Sequence, residues 1–109
     1  MVSLKALYEQ IKELGVVETQ SEFSQLWGKA GSWFSSSITR GRKPGLDALV
    51  RFHVSLKELE ENARQAALDA DDQELAESYH AGADEVSRMN AMIWSEITSI
   101  ARGSVAGRP

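Results

Sequence analysis

Apolar residues recur along this chain at helical rather than strand spacing. Leu4, Leu7, Tyr8, Ile11 and Leu14 follow one another at three- and four-residue steps, which gathers them on one face of a first helix. Gly15 stands where a left-handed cap would close it. Thr19 and Glu22 then match a capping box, in which a hydroxyl and a carboxylate satisfy each other's orphan backbone donors. A second helix is expected from there, turning Phe23, Leu26 and Trp27 inward. Gly28 and Gly31 bracket a short turn, and Ser32 to Arg40 reads as a third short helix with Phe34 and Ile38, four apart, on its buried side. Its outward side would carry Ser32, Ser35, Ser36, Thr39 and Arg40.

Two glycines and a proline between Gly41 and Gly45 break the pattern. Leu46, Leu49, Val50, Phe52, Leu56 and Leu59 resume it as a fourth helix, running to Asp69. After an acidic break, Asp71 or Asp72 should cap a fifth helix, whose acidic first turn suits the helix dipole. In it Leu75, Tyr79, Gly82, Val86, Met89, Ile93, Ile97 and Ile100 lie at steps of three and four, close to a coiled-coil seam. That seam pairs either with the fourth helix as a long antiparallel hairpin or with its own copy in a second chain. Leu75, Tyr79, Gly82, Val86, Met89, Ile93 and Ile97 are the residues expected at a dimer contact, with Gly82 letting backbones approach closely. The fold class expected is all-α, with about five helices in a single domain. Residues 1–56 form a helix-turn-helix part, 57–101 a hairpin or dimerisation part, and 102–109 a flexible tail.

Charge is unevenly placed. The formal net charge is −4, yet Phe23 to Leu46 contains no acid and four bases, Lys29, Arg40, Arg42 and Lys43. From Lys57 to Ala101 three bases stand against eleven acids, a balance of −8. A carboxylate in the basic stretch would repel a phosphate backbone, and an acidic half would limit non-specific binding. With 42% hydrophobic and 26% charged residues, the composition is that of a globular domain large enough to bury a core. The chain has no cysteine, which excludes a disulfide scaffold and a thiol nucleophile, and no apolar run approaches a membrane span. No signal-peptide pattern opens it, and a cytoplasmic location is expected.

The 31 residues from Thr19 to Leu49 resemble the helix-turn-helix of Cro and lambda-repressor-like (XRE-type) regulators. Thr19, Gln20, Phe23, Ser24 and Gly28 sit at the spacings at which that family opens, packs and closes its second helix. Gly41, Arg42, Lys43, Pro44, Leu46 and Leu49 stand where the family has a glycine, a basic pair, a proline and two leucines. Two departures are plain: Phe34 to Gly41 is one residue longer than the family's pattern, and Gly31 occupies a position where a polar recognition residue is expected.

The resemblance implies a sequence-specific regulator of double-stranded DNA, a repressor acting as a homodimer. Ser32, Ser35, Ser36, Thr39 and Arg40 would face the major groove, which is about 12 Å wide. Lys29, Arg42 and Lys43 would neutralise phosphates, and Gln20 would bond one at a helix N-terminus. Two copies would present two recognition helices about 34 Å apart. The competing reading is a protein-interaction module, an inhibitor or antiactivator that binds a protein partner through the hairpin; a structural subunit of a larger assembly is a third.

Other residues carry less. Trp27 is expected in the core, while Trp33 either packs on the first helix or stands exposed as a DNA or partner contact. His53 and His80 have no second ligand at metal spacing, and Asp71, Asp72 and Glu74 lack the pattern of a calcium loop, so no metal or cofactor is implied. The serines at 35 to 37 have no base placed to activate them. No enzymatic activity is expected.

Overall fold

Five helices and no strand make up residues 3–106, which are the residues that the computed structural model describes. They are α1 (Leu4–Glu13), α2 (Gln20–Leu26), α3 (Trp33–Arg40), α4 (Leu46–Asp69) and α5 (Gln73–Ala106). Their ends lie where local chemistry puts them. Ser3 Oγ accepts from the Ala6 amide to open α1, and Gly15, at φ +79°, closes it. Asp72 is the acid that caps α5, its carboxylate accepting from the Glu74 amide at 2.8 Å.

The core is built around Phe23. Tyr8, Phe34, Trp27 and Phe52 surround its ring with centroids 5.1–5.9 Å away, all four edge-on to it. Trp27 stacks flat on Phe52 at 4.0 Å. Leu7 and Ile11 of α1, Leu49 and Leu56 of α4, and Val86, Met89, Ile93 and Ile97 of α5 complete this one cluster. α4 and α5 pack against each other as a long antiparallel hairpin within the chain. Where they cross the core, His53 Nδ1 lies 2.7 Å from Asn90 Oδ1, and the Asn90 amide reaches back to the His53 carbonyl. Towards the turn the helices are held by the small buried residues Ala67 and Ala83 and by Arg64, which bridges Glu60 and Asp84.

Several expected placements change. Ile38 is 43% exposed and Ser37 is buried, so the inner face of α3 is Phe34 and Ser37, three apart. Leu46 and Val50 face solvent rather than the core. Val86, Met89, Ile93 and Ile97, expected at a contact between copies, are buried in the chain's own core; a side chain closed in there has no surface left for a second chain. Gly82 is half-buried, while Leu75 and Tyr79 stay exposed. The segment expected to be a flexible tail from 102 continues α5 to Ala106, and 107–109 lie outside the described residues. Among the described residues no helix is long and apolar enough to cross a membrane.

Candidate nucleic-acid interface

The capping box forms in full. Thr19 Oγ1 accepts from the Glu22 amide at 3.1 Å, while Glu22 Oε1 accepts from the amides of Thr19 and Glu18. α2 ends on Gly28 at φ +71°, where a Cβ would also press to 3.0 Å from Arg51 Cγ, so a side chain there is disfavoured twice. The turn to α3 runs through six residues, 27 to 32, rather than the three or four of a compact helix-turn-helix.

Ser24 holds that longer turn. Its hydroxyl is wholly buried, lies within bonding distance of the Gln20 and Gly31 carbonyls at 3.0 and 3.3 Å, and accepts from the Phe34 amide at 3.0 Å. One side chain thus ties α2, the turn and the first turn of α3 together. Gly31 is explained by the same closeness: a Cβ there would lie 2.6 Å from Ser21 Oγ and 3.3 Å from its Cβ. A side chain at that position would require the Ser21 hydroxyl to turn away.

Nine of the ten residues expected to meet DNA divide into two groups on the flanks of α3. Lys29, Trp33, Ser36, Arg40, Arg42 and Lys43 line one concavity of about 200 Å³. Gln20, Ser35 and Thr39 line a second groove, of about 420 Å³, between α3 and α1. Ser32 is exposed at the N-terminus of α3 and lines neither. Trp33 is half-buried, with its ring 5.4 Å from that of Trp27, so it forms the floor of the first concavity rather than an exposed platform.

Hydrogen bonding assigns the hydroxyls different capacities. Ser35 Oγ donates to the Ser32 carbonyl at 3.2 Å and Thr39 Oγ1 to the Ser35 carbonyl at 2.8 Å, so both keep lone pairs free but spend their proton on α3. Arg40, Arg42 and Lys43 make no ion pair among the described residues. Lys29 does: its Nζ lies 3.4 Å from the exposed carboxylate of Asp47, just past the acid-free stretch. The backbone amide of Ala48, with Lys29 second, holds the Asp47 carboxyl below its ordinary value.

The second groove has lining residues that the sequence pattern did not single out. Lys5 and Lys12, one heptad apart on α1, line the second groove beside Gln20, and Ile38 adds an exposed apolar side chain to it. The seven-residue spacing of the two lysines was the available signal. His53 is half-buried with its ring 5.1 Å from that of Trp94, and His80 is exposed; no group of three ligating side chains occurs among the described residues. Residues 4–105 match a family of unknown function (DUF6626). No curated protein and no solved structure matches the chain.

Proposed function

The chain belongs to DUF6626, a family of unknown function, and we propose that it is a sequence-specific binder of double-stranded DNA, acting in the cytoplasm as a transcriptional repressor. One observation carries the reading: Lys29, Arg40, Arg42 and Lys43, the four bases of the acid-free stretch, converge on one concavity at the end of α3. Three of them are unpaired among the described residues, and such a cluster has the sign to neutralise phosphates. The exposed side of α3 supplies short hydroxyls and Arg40 for base edges, and Ile38 suits a thymine methyl. Gln20, with Lys5 and Lys12, would hold the strand on the far flank.

So few cations give one chain only weak, salt-sensitive affinity, so the reading includes a homodimer. Its contact would use apolar side chains that the chain's own core leaves uncovered, Leu75, Tyr79 and Trp94 among them. Those exposed side chains also favour the second reading, a protein-interaction module whose partner docks on the hairpin. The two separate in one experiment. Arg40→Ala/Arg42→Ala/Lys43→Ala should abolish duplex binding, measured by fluorescence anisotropy, and leave helicity by circular dichroism unchanged. Unchanged affinity of the triple variant for a duplex that the wild type binds would overturn the assignment.

A further inference from the structure

The hairpin carries an uncovered apolar face where it passes the core. On α4, Leu46, Val50 and Val54 follow one another at four-residue steps and are 41%, 44% and 40% exposed. The other side of α4 carries Ser55, whose hydroxyl donates to the Leu26 carbonyl of α2, so this stripe is turned away from the small helices. Trp94 continues the face on α5 and is 52% exposed. The two stripes meet where the His53 ring lies 5.1 Å from that of Trp94. Between Leu46 and Glu61 the α4 stripe has a single charge, Lys57. Leu75 and Tyr79 are a separate set, at least fifteen residues, or roughly 22 Å, nearer the hairpin turn.

We propose that this face binds a second copy of the chain across a two-fold axis that passes through the His53–Trp94 contact. The proposal locates the homodimer of the preceding reading and rests on that part of it; it requires no DNA. Charge placement points to a copy rather than another partner. Glu61 lies eight residues beyond His53 on α4, and Arg102 lies eight residues beyond Trp94 on α5. Because the helices are antiparallel these steps run in opposite directions, which puts the two charges roughly 12 Å to either side of the contact. Both residues are exposed, and neither makes an ion pair among the described residues. A two-fold axis in the plane of the face, perpendicular to the line joining them, exchanges their positions, and each Glu61 then meets the partner's Arg102. Trp94 falls close to that axis and packs on the partner's Trp94, while Val50 meets the partner's Val54. A tryptophan at the centre of an interface is the side chain best suited to anchor it. The face runs roughly 22 Å along α4 and is two helices wide, so two copies bury on the order of 1,000 Å² in all, the lower bound of a specific interface. A contact of that size sets a weak dimer, with a Kd on the order of 10 μM.

The test is sedimentation equilibrium of the full chain without DNA, from about 1 to about 500 μM, which brackets the expected Kd. The wild type should pass from monomer to dimer and no further, because a two-fold contact closes on itself. Trp94→Ala should weaken the dimer at least tenfold, and Leu75→Ala/Tyr79→Ala should leave it unchanged. Glu61→Arg and Arg102→Glu, both on exposed positions that spare the core, should each weaken it about tenfold at low salt, because each replaces two attractions by two repulsions. The double variant should return to within about twofold of the wild type, since the exchange restores both pairs. A wild type that stays monomeric at every concentration would overturn the contact and the homodimer with it. A dimer that ignores Trp94→Ala, or that Leu75→Ala/Tyr79→Ala weakens, would overturn this face and leave the homodimer standing. Single exchanges without effect, or without rescue in the double variant, would overturn the two-fold register. Failure of the nucleic-acid reading is distinguishable, because Arg40→Ala/Arg42→Ala/Lys43→Ala should dimerise like the wild type whether or not either one binds a duplex.

Discussion

Ser24 shows how much geometry one small buried side chain can set. Its hydroxyl bonds within α2, to the turn and to α3 at once, and its acceptance from the Phe34 amide positions the first turn of α3. Ser24→Ala leaves that amide buried without an acceptor, which should cost about 1–3 kcal/mol by urea denaturation. A midpoint equal to that of the wild type would mean that the hydroxyl is dispensable. Asp47 acts in the opposite direction on the interface, by occupying Lys29. Its lowered pKa means that the attraction is complete above the ordinary carboxylate value of 3.8 and fades as pH falls through the lower folded value. Asp47→Asn should therefore tighten duplex binding equally at about pH 6 and about pH 8, both far above that range. Weaker binding, or a gain confined to the lower pH, would contradict the pairing.

At the scale of helices, the ends were legible in the sequence because caps are local. Thr19 and Glu22, Gly15, Gly41 and Asp72 each act within a few residues, and each lies where its spacing implied. The inward face of α3 was not legible. Phe34 and Ile38 make as good a helical stripe as Phe34 and Ser37, and the choice depends on where Ser24 holds the helix and where Tyr8 and Phe23 meet Phe34. The fifth helix posed the same problem, since a seam of three- and four-residue steps reads alike whether its partner is the same chain or another. The 24 residues of α4 supply the partner, and the middle of the seam closes within the chain. Ile93→Ala should accordingly destabilise the chain's own core by about 2–5 kcal/mol, a loss of the same size at every protein concentration. A loss relative to the wild type whose size changes with protein concentration would return Ile93 to an interface between copies.

The molecule is elongated, 57 × 30 × 18 Å, and its charge is distributed along the length. The basic loop lies beside Glu96 and Ile100, near the C-terminal end of α5, whereas the acidic turn around Asp71 and Asp72 is more than twenty residues back along the same helix. At 1.5 Å per residue the two are separated by roughly 35 Å, several screening lengths at physiological salt. The acids on the distal hairpin therefore cost the basic end little attraction, and they give the rest of the surface the sign that a phosphate backbone avoids.

That arrangement makes the salt dependence of duplex binding the most direct measurement. Anisotropy of the purified chain on a labelled duplex from its own promoter region, and on a random-sequence duplex, would be followed from about 50 to about 200 mM salt. Five phosphate-neutralising cations per chain, Lys29, Arg42, Lys43, Lys5 and Lys12, predict a log–log slope of roughly −4.5 for one chain and roughly −9 for a dimer, with the promoter duplex bound more tightly at every salt. No binding at the lowest salt, or binding indifferent to salt and sequence, would contradict the claim that the basic end of α3 reads DNA.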